Sequence, residues 1–133
     1  MTDNSRYERG LKKFEELTGQ ANPMKFSPLA ETAPDLVRYI VEYAAGDILS
    51  RPGLDSKSRQ IATVAALTVL GSAHLQLKVH INGVLNVGVT CEQIIEIMIQ
   101  MSIYAGFPAA LNGVQAAREV FSERDASAAK DKG

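Results

Sequence analysis

The sequence holds one cysteine, no tryptophan and no long block of like charge, and each scarcity removes a class of protein. A lone Cys91 cannot build an internal disulfide framework or a cluster of thiolate ligands, which fits a reducing compartment. With 14 basic and 15 acidic side chains and a formal net charge of −1, the chain carries no electrostatic footprint for nucleic acid or another polyanion. Its first residues, "MTDNSRYERGLKK", lack the basic start and apolar run of a secretory signal, so a cytoplasmic location is expected. The charge-free stretch from Gln60 to Leu77 approaches the ~18 residues that raise a membrane-helix question. Thr63, Thr68, Gly71, Ser72, His74 and Gln76 make it too polar for that, and no membrane association is expected. A length of 133 residues suits one core, and one domain is expected.

What is present reads as helix. Tyr7, Leu11, Phe14 and Leu17 recur at helical spacing before Gly19, which predicts an amphipathic helix over Ser5 to Thr18. The Pro-containing stretch "ANPMKFSPLAETAP" predicts a loop with one short helical turn. A helix then starts after Pro34 and is expected to end at Gly46. Others are predicted over Ser56 to Leu70, stopped by Gly71, and over Thr90 to Ala105, opened by the capping-box pair Thr90 and Gln93. Gly106 and Pro108 punctuate before a last helix, Ala109 to Glu123, and the tail "RDASAAKDKG" reads as frayed.

One segment, "LQLKVHINGVLNVGVT", contains Asn82-Gly83, the strongest short cue for a hairpin. Nothing else in the chain supports a strand, and an isolated hairpin is only marginally stable. As a helix, Leu77, Ile81, Val84, Leu85 and Gly88 share one side, with Asn82 and Asn86 a turn apart on another. We read a helix over Leu75 to Val87, which Gly83 weakens by roughly 1 kcal/mol. The fold class is therefore all-α. In "CEQIIEIMIQMSIYA" the Ile and Met residues cover nearly the whole helix circumference. They are expected to divide between the subunit interior and a neighbouring chain, with Met98 and Met101 as interface candidates. The alternative is a central helix covered by its own chain.

No phosphate-binding loop, dinucleotide fingerprint or metal-ligand spacing appears, and no serine sits in a nucleophile elbow. No metal is expected. His80 can accept or donate a proton near neutral pH, and it reads equally as a core histidine bonded to a backbone carbonyl. Arg51 and Arg59 flank a Pro-Gly turn, where two guanidinium groups can hold carboxylates through paired hydrogen bonds; each also reads as a solvated or salt-bridged arginine. Asn86 can orient a carbonyl or simply end a helix. Cys91, just inside a helix start, is open to a lowered pKa or is an incidental small residue.

The strings "RYERGL", "GDILSRPGLDSKSR", "LKVHINGVLNVGVT" and "YAGFPAALNGVQAAREVF" together resemble the 4-carboxymuconolactone decarboxylase family, from about Arg6 to Phe121. The resemblance implies an AhpD-like all-α bundle of about six to seven helices, assembled as a homo-oligomer, a trimer or hexamer, with the histidine segment helical. One branch of the family consists of thiol peroxidases whose C-x-x-C pair would fall at Ala73 and Gln76, so this chain lacks that nucleophile. The decarboxylase branch implies a cofactor-free lyase acting on a carboxylated lactone in aromatic-compound catabolism, the β-ketoadipate pathway. It casts Arg51 and Arg59 as carboxylate anchors and His80, as imidazolium, as proton donor or oxyanion partner. Asp47, Asn86 and Tyr104 become supporting substrate-binding residues. Leu49 stands where decarboxylases of the family commonly carry an aromatic residue, and "GSAHLQLK" is uncharged until Lys78. Two other functions compete: an antioxidant protein working through Cys91, and a non-catalytic oligomeric binding protein.

Overall fold

A computed structural model of the chain describes residues 4–20 and 28–131. Among them there are seven α-helices, one π-wound segment and no strand, so the all-α reading holds. The helices are α1 (Asn4–Thr18), α2 (Pro28–Thr32), α3 (Pro34–Tyr39), α4 (Ser56–Leu70), α5 (His74–Asn86), α6 (Cys91–Ala105) and α7 (Phe107–Asp131), with the π segment, Ile40–Leu49, following α3 directly. Part of the predicted Pro-containing loop, residues 21–27, lies outside the described residues; the short turn predicted in it is α2. No described helix is long and apolar enough to cross a membrane.

The chain forms two compact units, residues 1–56 and 57–133. In the first, α1 packs along the π segment, and Leu17, Val37, Val41 and Ala45 are buried. The expected stop at Gly46 is not there: the helical path runs on to Leu49. Gly46 does not take the left-handed conformation that ends a helix, whereas Gly71 and Gly106, with φ of 73° and 85°, do. Gly46 serves close packing instead, since a β-carbon there would lie 2.5 Å from the Arg6 carbonyl oxygen.

In the second unit Val64, Leu77, Ile81, Val84, Val89, Ile94, Met98, Ala116, Ala117 and Val120 form one buried cluster, built from all four helices of that unit. The α6 start is the capping box read from the sequence. Thr90 accepts from the Gln93 backbone N–H at 3.1 Å, and the Gln93 side chain accepts from the Thr90 N–H at 3.0 Å. Two expectations for this unit change. α7 begins at Phe107, because Pro108 in a first helical turn gives up an N–H that needs no helical partner. It also continues to Asp131, so the tail is helical rather than frayed as far as it is described. Ala126, Ala128 and Ala129 favour helix, and no Gly or Pro interrupts them.

Candidate functional site

α4 presents one stripe to its core, Gln60, Val64 and Thr68, at successive turns. Thr68 satisfies its hydroxyl within the helix, donating to the Val64 carbonyl at 2.7 Å. Gln60 is 1% exposed and reaches across to α5, where its Oε1 lies 3.1 Å from His80 Nδ1. Gly83, one turn after His80, makes room for that amide: a β-carbon at Gly83 would sit 3.0 Å from Gln60 Oε1. The Asn-Gly pair that signals a hairpin therefore has a packing reason to lie inside a helix. Its asparagine is also tied down, with Nδ2 donating to the Lys78 carbonyl at 3.2 Å.

Burial holds the His80 pKa below the usual histidine value, because a low-dielectric setting penalises the imidazolium. Neutral imidazole is thus the form favoured near pH 7, in place of the imidazolium that the resemblance implies. Arg59, next to Gln60 on α4, is half-buried with its Nε atom enclosed. Arg51 is exposed, and its backbone N–H donates to the Ile48 carbonyl at 3.1 Å.

The remaining sequence candidates have other neighbours. Asp47, on the π segment, is gripped by two arginines of α1. Arg6 donates from Nε to Oδ1 at 3.0 Å and from Nη2 to Oδ2 at 2.6 Å, and Arg9 donates from Nη2 at 3.2 Å. The Arg6 hydrogen bonds lower the Asp47 pKa despite partial desolvation. Asn86 Oδ1 accepts from Arg124 at 3.3 Å, and Asn82 Oδ1 accepts from the same guanidinium at 3.0 Å, linking α5 to α7. Tyr104 is exposed near the end of α6. Cys91 is exposed at its start. Among the described residues no three His, Cys, Asp or Glu side chains are grouped to hold a metal ion.

Sequence reasoning overlooked Gln60, Arg6, Arg9 and Arg124. A signal for Gln60 existed in its i, i+4, i+8 register with Val64 and Thr68, since a lone amide on a buried stripe must find a partner. Among the described residues the partner of His80 is thus this amide, neither a backbone carbonyl nor a carboxylate.

Comparison with known proteins adds three relatives and one family. The sequence profile described as "Carboxymuconolactone decarboxylase family" matches residues 34–119. The 4-carboxymuconolactone decarboxylase of Acinetobacter baylyi is 33% identical over 124 residues, 92% of this chain and 92% of that one. An uncharacterized 15.0 kDa protein of Paracoccus denitrificans is 30% identical over 90% of this chain and 92% of its own. A nitrosuccinic acid decarboxylase of Metarhizium robertsii is 36% identical over 75 residues, 56% of this chain and 52% of that relative.

Proposed function

Because the chain belongs to the carboxymuconolactone decarboxylase family, we propose that it is a cofactor-free carboxy-lyase whose substrate supplies its own electron sink. Two relatives named as decarboxylases support this reading through the chemistry of their named substrates. In 4-carboxymuconolactone the departing carboxylate sits on the γ-carbon of an unsaturated lactone, so the bonding electrons pass through the ring double bond into the lactone carbonyl. In nitrosuccinic acid they pass into a nitro group. Both compounds carry a second carboxylate on a short arm. The substrate class is therefore a dicarboxylate with one carboxylate on a carbon conjugated to an acceptor, and 4-carboxymuconolactone is the first member to test, which would place the enzyme in the β-ketoadipate route of aromatic catabolism.

Such a reaction asks the protein to hold an anion and return a proton to carbon. The observation that carries the reading is His80, a partly buried imidazole held by one hydrogen bond to Gln60. Arg51 and Arg59 are the proposed carboxylate anchors. Asp47, Asn86 and Tyr104 are the proposed outer contacts, the first two acting through the arginines that hold them. Purified protein, without added metal or organic cofactor, should release carbon dioxide from 4-carboxymuconolactone or from 2-nitrosuccinate. Turnover of neither at high enzyme concentration removes the lyase reading.

The proposed working form is a homo-oligomer, a trimer or hexamer. Ile94 and Met98 are buried within the subunit, where the Met98 sulfur lies 3.2 Å from the Thr68 hydroxyl oxygen. Met98 is thus a core residue and not an interface residue. Ile99 and Ile103 are 55% and 74% exposed, and Ile99 lines a groove of about 480 Å³ with Phe107, Leu111 and Val114. The groove lining contains no charged side chain, which suits a second copy of this chain offering the same apolar face. Ile103→Lys should leave the subunit folded, by circular dichroism, while reducing the sedimentation coefficient to that of a smaller species. A wild-type monomer at micromolar concentration is the opposing result.

A further inference from the structure

The contact between Gln60 and His80 is chemically one-sided. An amide oxygen only accepts, so a hydrogen bond from His80 Nδ1 to Gln60 Oε1 needs the proton on Nδ1. A neutral imidazole has a single ring proton, which leaves Nε2 with a free lone pair. Burial of Gln60 and the space left by Gly83 hold the amide in this register.

We propose that Gln60 is the positioning residue of this enzyme: it fixes His80 as the Nδ1–H tautomer, so that Nε2 is the atom that takes up and hands over the proton of the reaction. The inference rests on the decarboxylase reading above for its chemistry, and on the α4–α5 contact alone for its geometry. The C–C bond to the carboxylate breaks and carbon dioxide leaves, with the bonding pair spread into the conjugated acceptor of the substrate. Nε2, having taken a proton from water, gives it to the substrate carbon; the delocalised pair forms the new C–H bond and Nε2 regains its lone pair. One proton is consumed for each carbon dioxide released. The bond from Nδ1–H to Oε1 persists throughout, because an amide oxygen suits the neutral and the cationic ring alike.

An uncharged partner also leaves the ring free to change charge. The shift of the His80 pKa arises from burial, with no charged group contributing. Apart from the half-buried Arg59, charged side chains on the neighbouring helices of this unit are engaged elsewhere or exposed. On α7, Glu119 and Glu123 hold His74 and Lys78, and Arg124 holds Asn82 and Asn86. On α6, Glu92 and Glu96 are exposed, as is Lys57 on α4, while Arg59 precedes Gln60. The free enzyme therefore rests with neutral His80 at pH 7, and the anionic substrate favours the imidazolium once bound. In consequence kcat/KM should fall as pH rises above the lowered pKa of the free enzyme, whereas kcat should persist to higher pH.

The test uses the full chain labelled with 15N-histidine, together with Gln60→Glu and Gln60→Leu. Wild-type His80 is expected to show a protonated Nδ1 and an unprotonated Nε2 at neutral pH. Gln60→Glu should raise the His80 titration midpoint by about one pH unit or more, and should move the alkaline limb of kcat/KM upward by the same amount. Gln60→Leu should give mixed tautomers and lower kcat roughly tenfold or more while KM changes little. Wild-type His80 with its proton on Nε2, or an unmoved midpoint in folded Gln60→Glu, overturns the proposal. The tautomer measurement needs no substrate. A confirmed Nδ1–H pair in a protein that turns over no dicarboxylate would refute the lyase reading and leave the pair standing.

Discussion

His80→Ala should lower kcat for decarboxylation by about 10²–10⁴-fold, the usual loss when a positioned acid–base group is removed. That corresponds to about 3–5 kcal/mol of transition-state stabilisation, at 1.36 kcal/mol for each factor of ten. KM should change little, because the proposed carboxylate anchors are arginines. The substitution also has a structural side. It strips the Nδ1 donor from Gln60 Oε1 at a position where Gln60 is 1% exposed, and an orphaned buried acceptor costs about 1–3 kcal/mol. Adding Gln60→Leu to His80→Ala should recover part of that stability, since both polar partners are then gone, and should recover none of the activity. Steady-state kinetics alongside urea denaturation separate the two effects. A single variant that keeps more than about a tenth of wild-type kcat would leave His80 with a packing role only.

The features legible in the sequence are those written locally. Ser56–Leu70 is legible to the residue because Gly71, with its left-handed backbone, ends it. The Thr90 start of α6 is legible because both halves of a capping box lie within four residues. The apolar register of Leu77, Ile81 and Val84, all buried, places His80 on a helix. What stayed hidden depends on a second element. Gly46 looks like a helix stop until the Arg6 carbonyl is set against it. Asn82-Gly83 looks like a turn until Gln60, twenty-three residues before Gly83, is found to need the space. Met98 and Ile103 carry the same apolar signal, and only the packing of Thr68 and Gly113 against Met98 separates core from surface. Site chemistry follows the same rule. The histidine is visible in the sequence, while the amide that faces its Nδ1 comes from another helix.

Gly10→Ala should destabilise the protein by more than the usual ~1–3 kcal/mol of an overpacked core, despite adding a single methyl group to a helix. On propensity alone the change should stabilise α1, because Gly inside a helix is about 1 kcal/mol worse than Ala. Packing reverses the sign. A β-carbon at Gly10 would overlap the backbone carbonyl of Val41 on the π segment, and Val41 is itself fully buried. Backbone cannot swing aside as a flexible side-chain tip can. The only relief is to separate α1 from the π segment, and that separation strains the bonds across the same seam: Arg6 to Asp47 at 2.6 Å and Arg9 Nε to the Gly46 carbonyl at 2.8 Å. The "RYERGL" string thus records one surface, with a glycine allowing the approach and two arginines a turn or less away holding it. Gly53→Ala is the matched control, since a β-carbon there meets nothing within 4 Å and its φ is not positive. Thermal and urea unfolding followed by circular dichroism should show a large drop in midpoint for Gly10→Ala and almost none for Gly53→Ala. Equal midpoints for the two would mean that α1 can lie farther from the π segment at little cost, and the close seam would then contribute nothing to stability.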